Sequence, residues 1–241
     1  MEICFINEFN QEIHGILEDK GKDLIVLCHG LLSHKNTLFY REFAQTSNLS
    51  SFRFDFPIYN ANNEFRYGNY DLDMKDLELV IQELEKRGHK VVGLMGHSRG
   101  ASVVLHTARL RNFDFVISLA ARFHMKDALK KHSEEDMNLL ESNGKFDWKV
   151  QHRRQEASFE IKKSQVENFL SLDNSKLSEI PKSTRVLLIH GKKDRNIPFE
   201  DMAEIQKFIP HSVSIPIEST DHIFRNQKEA VMMHVLEFIE N

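Results

Sequence analysis

Short apolar runs alternate along this chain with longer segments whose apolar residues recur at helical spacing, and this alternation constrains the fold more than any other feature. The run 24–28 is continuously apolar, as expected of a strand that helices cover on both faces. Between residues 71 and 87, apolar side chains recur every three or four positions, and Gly88 follows the end of that pattern. Alternating strands and helices predict an α/β fold, with a mostly parallel sheet flanked by helices.

The rest of the chain continues this order. We expect two short antiparallel strands within residues 1–17, where apolar and polar side chains alternate. The later predicted elements are strands at 23–28, 51–56, 90–95, 115–119, 185–189 and 212–217, and helices at 36–48, 71–87, 99–111, 199–208 and 227–239. With 241 residues and 41% hydrophobic content, the chain is expected to form a single domain over residues 1–241.

Residues 122–183 interrupt the alternation. The segment is polar and rich in charges, and its apolar residues recur at helical spacing within 125–140 and again within 166–170. It is too long for a plain loop in a compact domain. We therefore expect a helical cap insertion over the carboxyl edge of the sheet.

Composition excludes several classes of partner. The net charge is −4, the acidic and basic residues are mixed, and no long basic run predicts binding to nucleic acid or to an anionic membrane. No apolar run is long enough to span a membrane, and the first residues do not resemble a signal peptide. Cys4 and Cys28 lie far apart, so we expect reduced, buried thiols and a cytoplasmic protein.

A serine lies where the strand 90–95 should turn into a helix, within Gly96-His97-Ser98-Arg99-Gly100. A sharp turn of this kind exposes the serine hydroxyl above the sheet. Side chains two positions before and after the serine would collide with neighbouring backbone, which explains the two glycines. The five-residue pattern also arises by chance in ordinary loops, but its position between a strand and a helix predicts Ser98 as a nucleophile.

A serine hydroxyl needs a base that accepts its proton and an acid that orients the base. In folds of this kind the acid and then the histidine follow the serine along the chain. Asp194 and His222 each follow a late predicted strand, in that order. Asp221 and Asp173 are the alternative acids. Asp221 is next to His222, but adjacent side chains diverge in an extended segment, and Asp173 lies within the expected cap. We therefore expect Asp194 to orient His222.

The oxyanion formed by attack on a carbonyl needs backbone N–H donors. One is expected from Arg99, directly after the nucleophile, and the other from Leu31, which follows His29-Gly30 at the end of an earlier strand. No His-Glu-x-x-His pattern, no paired cysteines and no glycine-rich phosphate loop accompany these residues. We therefore expect no metal and no cofactor.

Taken together, these elements resemble the α/β-hydrolase superfamily over essentially the whole chain. The segments that resemble its cinnamoyl (feruloyl) esterase-like group, including eukaryotic cytosolic members, are 29–31, 96–100, 191–198, 221–222, 121–126 and 147–148. The resemblance departs after Phe54-Asp55, where many relatives carry a Gly-x-Gly-x-Ser run and this chain continues Phe56-Pro57-Ile58. The resemblance implies a cofactor-free serine esterase with a short helical cap.

The expected activity is that of a carboxylic ester hydrolase, which cleaves a small to medium acyl ester through an acyl-enzyme intermediate. Its partner would be a small-molecule ester. Phe123, Met125, Phe146 and Trp148 are candidate walls of the substrate pocket, although packing between cap and sheet explains each of them equally well. Two alternatives remain: a ligand-binding or interaction protein with a slow triad, and an acyltransferase or thioesterase that uses the same residues.

Overall fold

A computed structural model describes residues 1–152 and 155–241, in which ten strands and seven α-helices are found. The strands are β1 (Glu2–Ile6), β2 (Glu12–Glu18), β3 (Asp23–Cys28), β4 (Ser50–Phe54), β5 (Lys90–His97), β6 (Phe115–Leu119), β7 (Lys145–His152), β8 (Gln155–Lys162), β9 (Arg185–Gly191) and β10 (Val213–Ile217). The helices are α1 (Tyr40–Thr46), α2 (Tyr70–Lys86), α3 (Arg99–Thr107), α4 (Glu134–Asn143), α5 (Lys163–Leu170), α6 (Glu200–Phe208) and α7 (Lys228–Glu240).

Eight of these strands form one sheet in the order β1-β2-β4-β3-β5-β6-β9-β10. The pairs β1–β2 and β2–β4 are antiparallel, and every later pair is parallel. The predicted mostly parallel α/β architecture is therefore confirmed. Strand β4 is added on one side of β3, whereas β5 and the later strands of this sheet are added on its other side, so the strand order reverses at β3. Ligands bind at such a switch point, beyond the carboxyl ends of the strands.

The sheet is buried on both faces because two hydrophobic cores flank it. Within β3, Leu24 and Val26 belong to one core, and Ile25 and Leu27 belong to the other, as the two-residue repeat of a strand requires. Helices α2, α3 and α6 contribute to the first core, whereas α1 and α7 contribute to the second. Burial on both sides explains why the strand sequences are continuously apolar.

The segment 122–183, hereafter the inserted segment, lies between β6 and β9 and is only partly helical. Its helical parts are a 3₁₀ helix at Met125–Lys131, α4, α5 and a second 3₁₀ helix at Asn174–Glu179. Strands β7 and β8 form an antiparallel hairpin that was not predicted from the sequence. The pattern that indicates it is the alternation of Phe146, Trp148 and Val150, a two-residue period within an otherwise polar stretch.

Aromatic contacts dock this hairpin onto the loop after β4. The rings of Phe65 and Phe159 stack with centroids 4.2 Å apart, and Trp148 meets Tyr67 edge-on at 6.1 Å. Buried aromatic area of this kind contributes strongly to packing energy. The inserted segment is thus held against the loop that connects β4 to α2.

Several local predictions differ from the structure; for example, α3 ends at Thr107 rather than at residue 111, and β4 ends at Phe54 rather than at residue 56. Helix α1 begins at Tyr40 rather than at residue 36, because Leu38 adopts a positive φ of 53° that a helix cannot include. Cys28 is buried as expected, but Cys4 is exposed, because β1 is an edge strand with one face in solvent. Within the described ranges, no helix has both the length and the apolar character needed to cross a bilayer.

Candidate active site

Ser98 forms the turn between β5 and α3 in a strained conformation, with φ 56° and ψ −118°. Such a positive φ costs a non-glycine residue free energy, and strained residues of this kind cluster at functional sites. Neighbouring backbone holds the turn tightly. A Cβ on Gly96 would lie 2.2 Å from the carbonyl oxygen of Gly100, and a Cβ on Gly100 would lie 2.3 Å from that of Cys28. The glycines therefore permit the close approach on which the turn depends.

Three side chains that are distant in sequence meet above the turn. The imidazole Nε2 of His222 lies 2.9 Å from the Ser98 hydroxyl, and its Nδ1 lies 2.6 Å from Oδ2 of Asp194. The carboxylate can only accept, so the Nδ1–H of His222 donates to Asp194 and leaves Nε2 free to accept from the serine hydroxyl. The structure thus brings together the three residues selected from the sequence, in the order hydroxyl, imidazole, carboxylate.

The sheet brings the acid and the histidine together, because β9 and β10 are parallel neighbours whose carboxyl ends lie at the same edge. Asp194 follows β9 and His222 follows β10. The two loops are joined by a 3.0 Å hydrogen bond from the N–H of Lys193 to the carbonyl of Thr220. The histidine loop is also tied to the serine turn, since Nε2–H of His97 donates to the carbonyl of His222 at 2.8 Å.

Asp194 is held as a carboxylate by an extensive set of donors. Its Oδ1 accepts from the backbone N–H groups of Asn196 and Ile197 at 2.8 and 2.9 Å, and its Oδ2 accepts from His190 and His222. Burial of the carboxyl opposes ionisation, but the hydrogen bonds from the two histidines outweigh it and hold the pKa of Asp194 well below its ordinary value. The acid therefore stays ionised and orients the imidazole.

The rival acids identified from the sequence are used elsewhere. Asp221 accepts from the N–H groups of Ile223 and Arg225 within its own loop. Asp173 accepts from the N–H of Ser175 at the start of the second 3₁₀ helix. Both carboxylates thus stabilise local turns.

Two buried histidines beside the serine are neutral parts of the scaffold. Nδ1–H of His29 donates to the carbonyl of Gly30 at 2.7 Å, while its Nε2 accepts from the N–H of Phe56 at 3.0 Å. Burial lowers the pKa of His29 to about 4. Burial, and then the neighbouring His222, lower the pKa of His97 to about 3. Both rings therefore remain uncharged at neutral pH and fix the loops on which Leu31 and Ser98 lie.

The two amides expected to bind an oxyanion are available. Leu31 follows β3 and borders the same cavity as Ser98, and an added Cβ on the preceding Gly30 would lie 3.1 Å from Cβ of Ser98. Arg99 is the first residue of α3, where backbone N–H groups have no partner within the helix. Within residues 1–152 and 155–241, neither N–H donates a hydrogen bond.

A cavity of about 490 Å³ opens beside the serine and histidine. Its lining comprises Leu31, Tyr67, Gly68, Tyr70, Ser98, Arg99, Arg122, Asp127, Ala128, Lys130, Lys131, Phe169, Arg195, Asn196, Ile197, Pro198 and His222. The inserted segment and the loop after β4 therefore both contribute walls. The latter is the loop in which the sequence departs from the resemblance noted above.

None of the four candidate wall residues lines this cavity. Phe123 stacks on Phe208 at 5.3 Å, which directs its ring toward α6. Met125 and Phe146 are buried in the packing of the inserted segment, as helical and strand periodicity directs their apolar side chains inward. Trp148 lies behind the lining, with the ammonium of Lys131 4.3 Å from its ring centroid.

A buried ionic network beneath the site was not predicted. The guanidinium of Arg99 bonds to Asp73, and Arg66 pairs with both Asp73 at 3.1 Å and Asp76 at 2.6 Å. Arg66, Asp73 and Asp76 are almost fully buried. The signal available in the sequence was the pair of acids three positions apart on the apolar face of α2. The network anchors the side chain that follows the serine.

Only one group of possible metal ligands occurs among the residues that the structure describes. The ligand atoms of Cys4, Glu12 and His14 on the first hairpin lie within 4.8 Å of one another, and all three residues are exposed. None of them lines the cavity beside Ser98.

An eight-stranded, mostly parallel sheet in this order defines the α/β-hydrolase fold, and the chain has that fold. Est1E from Butyrivibrio proteoclasticus is similar, with a TM-score of 0.77 and 16% identity over 99% of this chain and 97% of that chain; it has also been solved with ferulic acid bound. An esterase of Pyrococcus furiosus gives a TM-score of 0.71 and 18% identity over 100% and 90% of the two chains. An alpha-beta serine hydrolase homologue from Coxiella burnetii gives 0.64 and 15% over 98% and 96%. No protein-family model and no curated protein matches the sequence.

Proposed function

We propose that this protein is a serine esterase that hydrolyses small to medium acyl esters, with Ser98 as nucleophile, His222 as base and Asp194 as orienting acid. One observation carries the proposal: Nε2 of His222 lies 2.9 Å from the Ser98 hydroxyl while its Nδ1 is bonded to Asp194. A hydroxyl beside an acceptor nitrogen, whose tautomer is determined by a carboxylate, is the arrangement that activates serine. The esterases among the structural neighbours support the same class of reaction.

In the proposed mechanism, the Ser98 hydroxyl attacks the ester carbonyl while His222 accepts its proton. Asp194 stays ionised and stabilises the imidazolium that forms. His222 then protonates the leaving alcohol. Water, activated by the same imidazole, releases the acid from the acyl-enzyme.

The negative charge on the carbonyl oxygen would be stabilised by the N–H groups of Leu31 and Arg99. Support comes from the position of Leu31 in the cavity wall beside Ser98 and from the unused N–H at the first residue of α3. A donor of this kind contributes roughly 3–4 kcal/mol to transition-state stabilisation.

The inserted segment would act as a cap over the substrate. Ala128, Lys131 and Phe169 of this segment line the same cavity as Ser98. A cavity of about 490 Å³ falls within the range of small-molecule sites and suits a small to medium ester. Because Est1E was solved with ferulic acid, aromatic acyl esters belong in the first substrate screen beside short aliphatic ones.

The decisive experiment is labelling with a fluorophosphonate probe, combined with hydrolysis of short p-nitrophenyl esters. Wild type should label rapidly and turn over, whereas Ser98→Ala and His222→Ala should lose nearly all activity. The two losses should not add in the double variant, because the groups act as a unit. Ser33→Ala is the matched control, since this hydroxyl lies in the same loop as Leu31 but outside the proposed relay of Ser98, His222 and Asp194. Turnover in Ser98→Ala, or no labelling of wild type, would overturn the proposal.

Product analysis distinguishes hydrolysis from acyl transfer, since both use the same acyl-enzyme. With an added alcohol or thiol, a hydrolase should still release mainly the free acid. A transferase would instead form the new ester or thioester.

A further inference from the structure

Basic side chains dominate the cavity beside Ser98, although the chain as a whole has a net charge of −4. The charged lining residues, histidine aside, are Arg99, Arg122, Asp127, Lys130, Lys131 and Arg195. A concave site with an excess of one sign of charge focuses its field and attracts ligands of the opposite sign. The lining therefore selects for negative charge.

Two of these cations are neutralised by protein carboxylates. The guanidinium of Arg99 is bonded to the buried Asp73, and Lys130 pairs with Asp127 at 2.7 Å. Arg122, Lys131 and Arg195 have no carboxylate partner anywhere in the described chain. Three positive charges around the cavity thus remain uncompensated.

Arg122 has an unused donor at a buried position. Its Nη2 donates to the carbonyl of Asn196, whereas its Nη1 is buried and finds no acceptor among residues 1–152 and 155–241. Arg122 lines the cavity, and no carboxylate of the described residues pairs with its guanidinium, so its charge is free to attract an anionic ligand.

Lys131 is positioned by aromatic rings rather than by an acid. Its ammonium lies 4.3 Å from the centroid of Trp148 and 5.2 Å from that of Tyr67, within the range of cation–π attraction. Lys131 is an exposed residue, yet partial desolvation of its ammonium and, second, the charge of Arg122 lower the pKa of Lys131 to about 8. An anion between the two cations would relieve their repulsion.

We infer that the substrates are esters that carry an anionic group, either a carboxylate or a phosphate. This group would be bound by Arg122 and Lys131 beside the reacting carbonyl, and the inference rests on the proposed esterase function. The planar guanidinium suits either group, because both present paired oxygens. Arg195, which is exposed at the cavity wall, adds attraction during approach.

The test uses matched pairs of esters that differ in charge. For the carboxylate, mono-p-nitrophenyl glutarate is compared with its neutral methyl ester; for the phosphate, 4-acetoxyphenyl phosphate is compared with 4-methoxyphenyl acetate. In one of the two pairs, the wild-type kcat/KM for the charged ester should exceed that for the neutral ester by about 10-fold or more, and this preference should fall with added salt. The pair that shows the preference identifies which anion is recognised.

Arg122→Gln and Lys131→Gln should each reduce the ratio of charged to neutral kcat/KM by about 10-fold, chiefly through KM. Lys126→Gln is the matched control, because Lys126 is an exposed cation on the same 3₁₀ helix as Lys131 but does not line this cavity. The control should keep the wild-type ratio.

Binding is measured separately by calorimetry on Ser98→Ala, titrated with glutarate and with phenyl phosphate. One of them should bind, and Arg122→Gln in that background should weaken it. If neutral and charged esters react equally well and neither anion binds, the inference is overturned while the esterase proposal stands. If no ester reacts and the probe does not label Ser98, the esterase proposal fails, and the inference with it.

Discussion

Nε2–H of His97 donates a 2.8 Å hydrogen bond to the main-chain carbonyl of His222, 125 positions later in the sequence. The residue before the proposed nucleophile thereby holds the backbone of the proposed base. His97 is buried and neutral, and its Nδ1 has no partner within the described chain. This single bond connects the β5 turn to the loop after β10, so it helps to determine the distance between hydroxyl and imidazole.

Replacing His97 should therefore slow the reaction without removing a reacting group. His97→Ala leaves the His222 carbonyl without its donor, and we expect kcat/KM to fall roughly 10- to 100-fold through misplacement of the base. Stability should fall by about 1–3 kcal/mol. His97→Gln, which retains a donor, should recover part of the rate.

The measurements for this prediction are the rate of fluorophosphonate labelling and the pH dependence of kcat/KM. A positioning role predicts that labelling slows in parallel with kcat/KM and that the acid limb of the profile shifts. A loss of stability with unchanged labelling and profile would show that His97 is only structural.

The backbone strain at Ser98 predicts a gain of stability on substitution by glycine. Ser98 holds φ 56° and ψ −118°, a conformation that costs an L-residue on the order of 1–3 kcal/mol and costs glycine far less. Ser98→Gly should unfold about 2–4 °C above Ser98→Ala, which keeps the strain. Both variants lack the hydroxyl, so calorimetric melting temperatures compare them directly. Equal melting temperatures would mean that the turn is not strained.

Two glycines near the serine should tolerate alanine very differently. A Cβ at position 100 would lie 2.3 Å from the carbonyl oxygen of Cys28, so Gly100→Ala should cost about 3 kcal/mol or more. At Gly30 the nearest atom is Cβ of Ser98 at 3.1 Å, so Gly30→Ala should cost only ~1 kcal/mol. Gly30→Ala should nevertheless lower kcat, because the added methyl group pushes on Ser98. Urea unfolding and ester hydrolysis test both statements; similar losses of stability would contradict them.

Stability should decline on acidification because His29 is buried in its neutral form. Its pKa is lowered to about 4, whereas an unfolded histidine titrates near pH ~6.5. Between these values the unfolded chain binds more protons than the folded one, so stability is lost as pH falls from 6.5 to 4. The loss from His29 alone is ~2 kcal/mol at pH 5.

The His29→Gln variant checks this assignment, since an amide can both donate and accept but does not titrate. Denaturant unfolding from pH 8 to 5 should show a shallower pH dependence for this variant than for wild type. Parallel curves would mean that His29 is not a source of the acid sensitivity.

Much of the architecture could be predicted from local pattern. Strand β6 has the predicted limits, and α2 differs by one residue at each end, because helical and strand periodicity express burial directly. The three residues of the relay could also be selected, since each follows a strand whose carboxyl end lies at one edge of a parallel sheet. Hairpin β7–β8 was missed because its alternating residues lie within a polar, charged segment.

The amino-acid sequence by itself determined the order of strands and helices, the serine turn with its two glycines, and the chain order of hydroxyl, carboxylate and imidazole. These are properties of neighbouring residues, which periodicity and turn chemistry reveal. Only the tertiary structure decided which side chains face the cavity. Lys131 lines it while Trp148 supports that lysine from behind, and the charge of Arg122 is uncompensated while that of Arg99 is neutralised by Asp73. Which charges are paired depends on contacts between elements that are distant in sequence, and no local pattern records those contacts.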